Sequence, residues 1–230
     1  LSLDAVTTGN YNTALGYFTG TALTTGANNI AIGGQALSVC QTANNNTAVG
    51  YNSMAANTTG HSNVAIGYAA LDANTTAANN TAVGNNALTA NTTGGSNTAC
   101  GDQSLEANTT GVANVAFGAE ALEASTTGSY LTAVGQGALH ANTTASNNTA
   151  VGSNCLAGNT TGDNCVAIGH DVMEGSNGDS NTGVGFEAMK TLTTGDNNTA
   201  VGRQTLNSIT TGRFNTALGS SGQGVTTGEN

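Results

Sequence analysis

The chain lacks proline and tryptophan altogether, and only 7% of its 230 residues are charged. Three basic residues stand against thirteen acidic ones, which gives a formal net charge of −10. Nucleic-acid binding needs lysine and arginine to neutralise phosphates, so this balance excludes a nucleic-acid partner. No apolar run approaches the roughly 18 residues of a membrane-spanning helix, and we therefore expect no membrane insertion.

Glycine, asparagine, threonine and alanine dominate instead, and they recur with a fixed period. With the glycine of Asn-Thr-Ala-Val-Gly as position 0, the copies stand 17 residues apart, apart from one step of 16. The anchors are Gly16, Gly33, Gly50, Gly67, Gly84, Gly101, Gly118, Gly135, Gly152, Gly169, Gly185, Gly202 and Gly219. Such a period indicates a repeat architecture. We expect residues 1–230 to form a single repeat domain. The motif begins in mid-repeat at Leu3 and stops at Thr226-Thr227-Gly228, which is typical of a segment of a longer fibrous protein.

Each repeat divides into two halves. The first has Thr, Val or Ile at position −3 and a β-branched or other apolar residue at position −1, which predicts a strand with these two positions on the buried side. The second has Leu or Met at position +4 in eleven of the thirteen copies and in most copies closes on Thr-Thr-Gly, which predicts a second short strand and a second corner. The fold class is therefore all-β, a parallel β-solenoid (β-roll) of about 13 coils of 17 residues.

Two columns of the repeat are nearly invariant. Position −4 is Asn in eleven of thirteen copies, with Leu131 and Cys165 as the exceptions, and stacked amides predict an asparagine ladder. Position −2 is Ala in twelve of thirteen copies, with Gly183 as the other. Because side chains alternate along a strand, we expect the Ala at position −2 to face outward. The uniform Ala then predicts either that a neighbouring surface approaches closely or that a tight strand simply tolerates Ala.

Two copies resemble a known repeat. Asn63-Val64-Ala65-Ile66-Gly67, with Ala70 three residues on, and Cys165-Val166-Ala167-Ile168-Gly169 resemble the motif of YadA-like head domains. The tandem arrays also resemble the shafts of trimeric bacterial surface adhesins and phage tail fibres. The resemblance implies a left-handed β-roll that forms a parallel homotrimer and serves adhesion or reach, outside the cell on a cell surface or virion. The coil here is longer than the family's and can enclose its own core, so the residues leave monomer and trimer open.

Aromatic side chains are few, and three tyrosines share one column. Tyr17, Tyr51 and Tyr68 occupy position +1, and the last two stand on consecutive coils. We expect Tyr51 and Tyr68 to stack, either as a contact for a sugar ring or as a pair that stabilises the wall. The three tyrosines are the candidate binding residues for a host-surface glycan or protein receptor.

No constellation of catalytic residues is recognisable. His61, His140 and His170 occupy three different columns, and we expect them to be solvated side chains. No nucleophile–base pair stands out among the many Ser and Thr residues. We therefore predict no catalytic residues, no metal ligands, no cofactor and no enzyme activity.

The short repeat after Gly169 carries Asp171, Glu174 and Asp179. Carboxylate oxygens are ligands for calcium, and deletions in solenoids fall in loops. A calcium site and a solvated acidic bulge are the two alternatives for this repeat.

The four cysteines, Cys40, Cys100, Cys155 and Cys165, occupy four different columns. No stacked pair on neighbouring coils is therefore implied, although Cys155 and Cys165 are near enough in sequence to form a disulfide. Their spacing does not match that of a structural zinc site.

Two functions fit these features. The first is a non-enzymatic structural or adhesive fibre module, a shaft or head that presents binding surfaces. The alternative is an ice-binding (antifreeze) β-solenoid that uses stacked Thr ranks, although the paired Thr residues at positions +8 and +9 would point to opposite sides. A β-helical enzyme needs a cluster of acids and bases that three scattered basic residues do not supply.

Overall fold

The structure, a computed structural model, describes residues 2–220, and the last motif, Thr226-Thr227-Gly228, lies outside them. The described chain has no helix and contains thirteen strands of three residues each. They are β1 Thr13–Leu15, β2 Ile30–Ile32, β3 Thr47–Val49, β4 Val64–Ile66, β5 Thr81–Val83, β6 Thr98–Cys100, β7 Val115–Phe117, β8 Thr132–Val134, β9 Thr149–Val151, β10 Val166–Ile168, β11 Thr182–Val184, β12 Thr199–Val201 and β13 Thr216–Leu218. The chain divides into two compact units, Leu1–Asn114 and Val115–Asn230.

Each unit is a parallel β-solenoid. In the first unit β1 to β6 pair in chain order, and partners are 17 residues apart, as in Thr47↔Val64. In the second unit β7 to β13 pair in the same way, and the one exception is Val166↔Thr182, which absorbs the short repeat. The predicted fold class, a parallel β-solenoid with 17-residue coils, is confirmed.

The second half of each coil is a series of turns and contains no second strand, which corrects the prediction of two strands per coil. Residues at positions +2 and +4 have left-handed backbone conformations; Asn86 and Leu88, for example, both have φ of 53°. A left-handed residue interrupts an extended chain. The turns nevertheless direct the Leu or Met at position +4 inward, and Leu88 is fully buried.

The prediction for the two faces of the strand is wrong. The Ala at position −2 points into the coil, and Ala48, Ala82 and Ala150 have no exposed surface. Positions −3 and −1 point outward, with Ile66 40% and Phe117 58% exposed. The interior is too narrow for two rows of large side chains: the Leu or Met from position +4 fills it, and only Ala fits opposite.

Two asparagine ladders pair most of the buried amides of this interior, although Oδ1 of Asn108 and of Asn142, both at position +7, have no hydrogen-bond partner among the described residues. At position −4, Asn63 Oδ1 accepts the backbone N–H of Asn80 at 2.9 Å, and Asn80 Nδ2 donates to the carbonyl of Gly94 at 3.0 Å. At position +7 the amides bond to one another, and Asn91 Nδ2 donates to Asn74 Oδ1 at 3.0 Å. The first ladder was predicted and is confirmed. Because buried amides require partners, both ladders fix the register of successive coils.

Residues 2–220 include no helix that is long and apolar enough to cross a membrane.

Candidate functional site

The most extensive candidate surface is the outward side of the strands, which we call the strand face: positions −3 and −1 of β1–β6 in the first unit and of β7–β13 in the second. Every residue on it is Thr, Val, Ile, Leu, Phe or Cys, so the face carries no charged side chain within residues 2–220. Its most exposed apolar side chains away from the first and last strands include Phe117, Ile66 and Ile168. Uncharged apolar surface that recurs from coil to coil is typical of an interaction surface.

The hydroxyl groups of threonine differ between columns. At position +8 the hydroxyl donates to the carbonyl of the corresponding residue on the next coil, as Thr58 Oγ1 does to Thr75 O at 2.9 Å. The threonines of this column therefore form a ladder in which the hydroxyls bond to the backbone of the next coil. At position −3 nine of the thirteen residues are Thr on the outward strand face. The outward threonine rank is thus beside the outward apolar rank of position −1, and both ranks had been predicted to lie on the buried side.

The structure brings together two of the three predicted tyrosines. The rings of Tyr51 and Tyr68 stack with their centroids 5.9 Å apart and an interplanar angle of 15°. They are 50% and 55% exposed, so ring surface is accessible to solvent. Tyr17 is separated from them by the coil that carries Gly34, and its ring contacts Phe18 edge-on at 4.2 Å. The stacking is as predicted, and the binding role remains a prediction.

A second stack in the same column was missed from the sequence. His170 lies parallel to the ring of Phe186 at 5.7 Å, and the guanidinium of Arg203 lies 5.6 Å from the same ring centroid. These residues occupy position +1 on three consecutive coils of the second unit, so the column alignment that predicted the tyrosine stack would also have found them. Cation–π contacts of this kind stabilise the wall modestly.

The acidic residues of the short repeat do not form a common cation site. Asp171 lies 2.8 Å from Nζ of Lys190, and Glu174 lies 3.6 Å from the same ammonium group. An oxygen of Asp179 instead accepts the backbone N–H of Asp163 at 2.8 Å. Burial raises the pKa of Asp171, but hydrogen bonds from Lys190 and Asn154 outweigh it and place the pKa below its ordinary value. The ammonium of Lys190 lies between the carboxylates of Asp171 and Glu174, the place that a calcium ion would need.

One group of side chains within residues 2–220 has the composition and spacing of metal ligands: Glu120, Glu123 and His140, whose ligand atoms all lie within 4.8 Å of one another. Nε2 of His140 is 2.9 Å from Oε2 of Glu123. His140 was predicted to be a solvated side chain, and this group was not predicted from the sequence. The signal was available, because Glu123 and His140 both occupy position +5 on consecutive coils.

All four cysteines are free thiols, so Cys155 and Cys165 are not bridged. Burial raises the pKa of the Cys165 thiol to about 11, and it raises the pKa of the Cys40 and Cys155 thiols as well. These three thiols are therefore protonated at neutral pH and behave as small interior side chains.

No protein family, curated protein or solved structure matches the chain. The assignment of function therefore depends on the surfaces described above.

Proposed function

We propose that the chain is a non-enzymatic structural or adhesive fibre module, a shaft or head of a surface adhesin or phage tail fibre, located outside the cell on a cell surface or virion. The observation that carries the proposal is the strand face, an uncharged surface that repeats on every coil of both units. Such a face loses apolar contact with water when it packs against an identical face. A homotrimer whose three strand faces meet at a common axis would bury it.

The repeat makes a second copy of this chain the fitting partner. Each coil presents the same two columns at the inter-strand spacing of about 4.8 Å, so corresponding units of two copies can interdigitate in register. A net charge of −10 opposes self-association, but the strand face itself carries none of that charge. A parallel arrangement aligns like coil with like coil.

Molar mass in solution tests the assembly. We expect a species of about 67 kDa, three times the 22.4 kDa of one chain, by light scattering at micromolar concentration. Val151→Lys places a charge on the strand face and should shift the species toward the mass of one chain. Thr144→Lys, which adds the same charge at an exposed residue of position +9, is the matched control and should leave the mass unchanged. A wild-type chain that stays monomeric would contradict the trimer.

The adhesive part of the proposal depends on the exposed Tyr51–Tyr68 stack, whose flat rings offer a platform for a sugar ring or an apolar protein side chain. A glycan array probed with the wild-type chain and with Tyr51→Ala tests it. A glycan bound by wild type and lost in Tyr51→Ala supports the site, with Tyr130→Ala, an exposed tyrosine outside the column, as the control. Equal binding by wild type and Tyr51→Ala would place the receptor site elsewhere.

Ice binding is a second candidate, and one observation favours it. The threonines of position −3 face outward next to the aliphatic column of position −1, so hydroxyl and methyl groups alternate at regular spacing on an uncharged sheet. Four strands begin with Val or Ile and interrupt the rank: Ile30, Val64, Val115 and Val166. A monomer that shows thermal hysteresis, lost in Val151→Lys, would favour this function; a trimer without hysteresis favours the fibre.

A further inference from the structure

The group Glu120, Glu123 and His140 connects two consecutive coils of the second unit. Glu120 and Glu123 occupy positions +2 and +5 of the coil that begins at Gly118, and His140 occupies position +5 of the next coil. The imidazole is therefore next to the Glu123 carboxylate, at 2.9 Å, and Glu120 completes the group. The side chains of His140 and Glu123 are 45% and 30% exposed, so a cation can enter from solvent.

Further along the chain, a positive charge occupies the corresponding place in the same two columns, +2 and +5. There Asp171 occupies position +2, Glu174 position +5, and Lys190 position +5 of the following coil. The Lys190 ammonium lies 2.8 Å from Asp171 and 3.6 Å from Glu174, so it is the cation between the two carboxylates. In this chain the wall geometry at these columns thus places two carboxylates around a cation.

The group Glu120, Glu123 and His140 has the two carboxylates but no ammonium group between them. His140 replaces the lysine and supplies a nitrogen ligand instead of a fixed charge. The following coil also differs at position +2, where Glu187 lies 3.2 Å from Lys190 but Gly137 has no side chain. No further carboxylate therefore approaches the group from position +2 of the following coil, where Gly137 is buried beside the Asn154 side chain.

We propose that Glu120, Glu123 and His140 bind a divalent transition-metal ion of the zinc class. Imidazole nitrogen with carboxylate oxygens is a ligand set that Zn²⁺ accepts, whereas Ca²⁺ and Mg²⁺ prefer oxygen ligands alone. Two carboxylates and a neutral imidazole balance the charge of the ion, and water fills the fourth position. The site links the coil of Glu120 and Glu123 to the coil of His140, and metal binding stabilises the fold by mass action. This inference does not depend on the fibre function.

The test uses the full chain, ZnCl₂ alone as the probe, and calorimetric titration with CaCl₂ and MgCl₂ for comparison. We expect one Zn²⁺ per chain, a raised thermal midpoint with Zn²⁺, and weaker or no response to the other two ions. Glu123→Gln should weaken binding at least about tenfold, because it removes a charged ligand. His140→Lys should abolish binding, because it supplies the ammonium that Lys190 supplies in the later group.

The His140→Lys variant also separates a binding defect from a folding defect. Its thermal midpoint in chelator should equal or exceed that of wild type in chelator, since a lysine at the same position, Lys190, pairs with the acidic residues at positions +2 and +5 of the preceding coil. His61→Ala removes an exposed histidine elsewhere and is the matched control, which should bind Zn²⁺ as wild type does. Absence of Zn²⁺ binding by wild type, Zn²⁺ binding that survives both Glu123→Gln and His140→Lys, or a stronger response to Ca²⁺ would overturn the proposal.

Discussion

Val172 occupies the space that a methyl group at Gly183 would need. A Cβ built on Gly183 would lie 2.6 Å from Cγ1 of Val172, which is closer than two carbon atoms approach without a clash. Gly183 is the one exception to Ala at position −2, and Val172 stands at position +3, where most coils have Ala, Ser or Thr. The two substitutions compensate for each other inside one coil.

A double-mutant cycle tests this compensation. Gly183→Ala alone should lower the free energy of unfolding by about 1–3 kcal/mol through overpacking. Val172→Ala alone should lower it by a similar amount, because it leaves a cavity. The double variant restores the Ala–Ala pair of coils such as that of Ala188 and Ala200, so its loss should be smaller than the sum by at least about 1 kcal/mol. Urea unfolding measures all four proteins, and strict additivity would show that the two side chains do not compete for one space.

This pair also shows what the sequence could and could not predict about the core. The period fixes which residues stack, so the parallel register and the solenoid follow from the spacing of the glycines. Alternation along a strand, however, is the same whether the odd or the even positions face inward. Which set of positions faces inward depends on the width of the coil interior. The buried Leu or Met at position +4, such as Leu88, restricts that width. Uniform Ala at position −2 was the signature of that narrow interior.

Of the candidate sites, too, one part could be predicted from the sequence and another could not. Column alignment predicted the stack of Tyr51 on Tyr68, because both residues have the same position on consecutive coils. The pairing of His140 with Glu123 was not predicted, although both residues occupy position +5 on consecutive coils. Side-chain reach, as in the approach of Glu120 from position +2, cannot be read from column alignment.

The side chain of Asn177 replaces a backbone carbonyl in the short repeat. In a regular coil the carbonyl of Thr143 accepts both the backbone N–H and the hydroxyl of Thr126, at 2.9 and 3.1 Å. The short repeat has a single residue, Asn177, in place of the Thr-Thr pair. Its Oδ1 accepts the backbone N–H and the hydroxyl of Thr160, each at 2.7 Å, and the N–H of Thr161 at 3.2 Å. A deletion is thus tolerated without unpaired donors.

Asn177→Ala should therefore lower the free energy of unfolding by roughly 2–3 kcal/mol, because the donors of Thr160 and Thr161 lose their acceptor. Urea unfolding monitored by circular dichroism gives the value. Thr161→Ala, which removes only an exposed side chain of the same turn, should change it by less than about 0.5 kcal/mol. Inserting a Thr after Ser176 in an Asn177→Thr background recreates Thr-Thr-Gly and should recover most of the loss. A neutral Asn177→Ala would show that water replaces the amide oxygen.

The cluster around Lys190 predicts an acid-sensitive contribution to stability. The pKa of Asp171 is lowered in the folded state, and the hydrogen bonds to Asp171 and Glu187 raise the pKa of Lys190. A lowered carboxyl pKa stabilises the folded state above the unfolded-state value of about 3.9, and this stabilisation is lost as the pH falls through the folded-state pKa. Lys190→Met should lower the thermal midpoint at pH 7, and the difference from wild type should shrink below about pH 4. Lys190→Arg keeps the charge and should retain most of the dependence. A difference that is independent of pH would mean that Lys190 acts through packing alone.

The glycine at position 0 is required because its backbone conformation and the close approach of the next coil both exclude a side chain. A comparison of Gly135, which is at position 0, with Gly175, which is not, distinguishes this requirement from a general effect of replacing glycine by alanine. Gly135 has φ of +131°, and a Cβ there would lie 2.6 Å from the carbonyl carbon and oxygen of Gly152 on the next coil. Neither backbone atom can move without breaking the register, so Gly135→Ala should lower the free energy of unfolding by roughly 3 kcal/mol or more. Gly175 has no atom within 4 Å of an added Cβ, and Gly175→Ala should change stability by less than about 1 kcal/mol. Thermal and urea unfolding of both variants measure the contrast. Equal losses of stability in the two variants would contradict this prediction, because they would show that the coils can separate at position 0 to admit a methyl group.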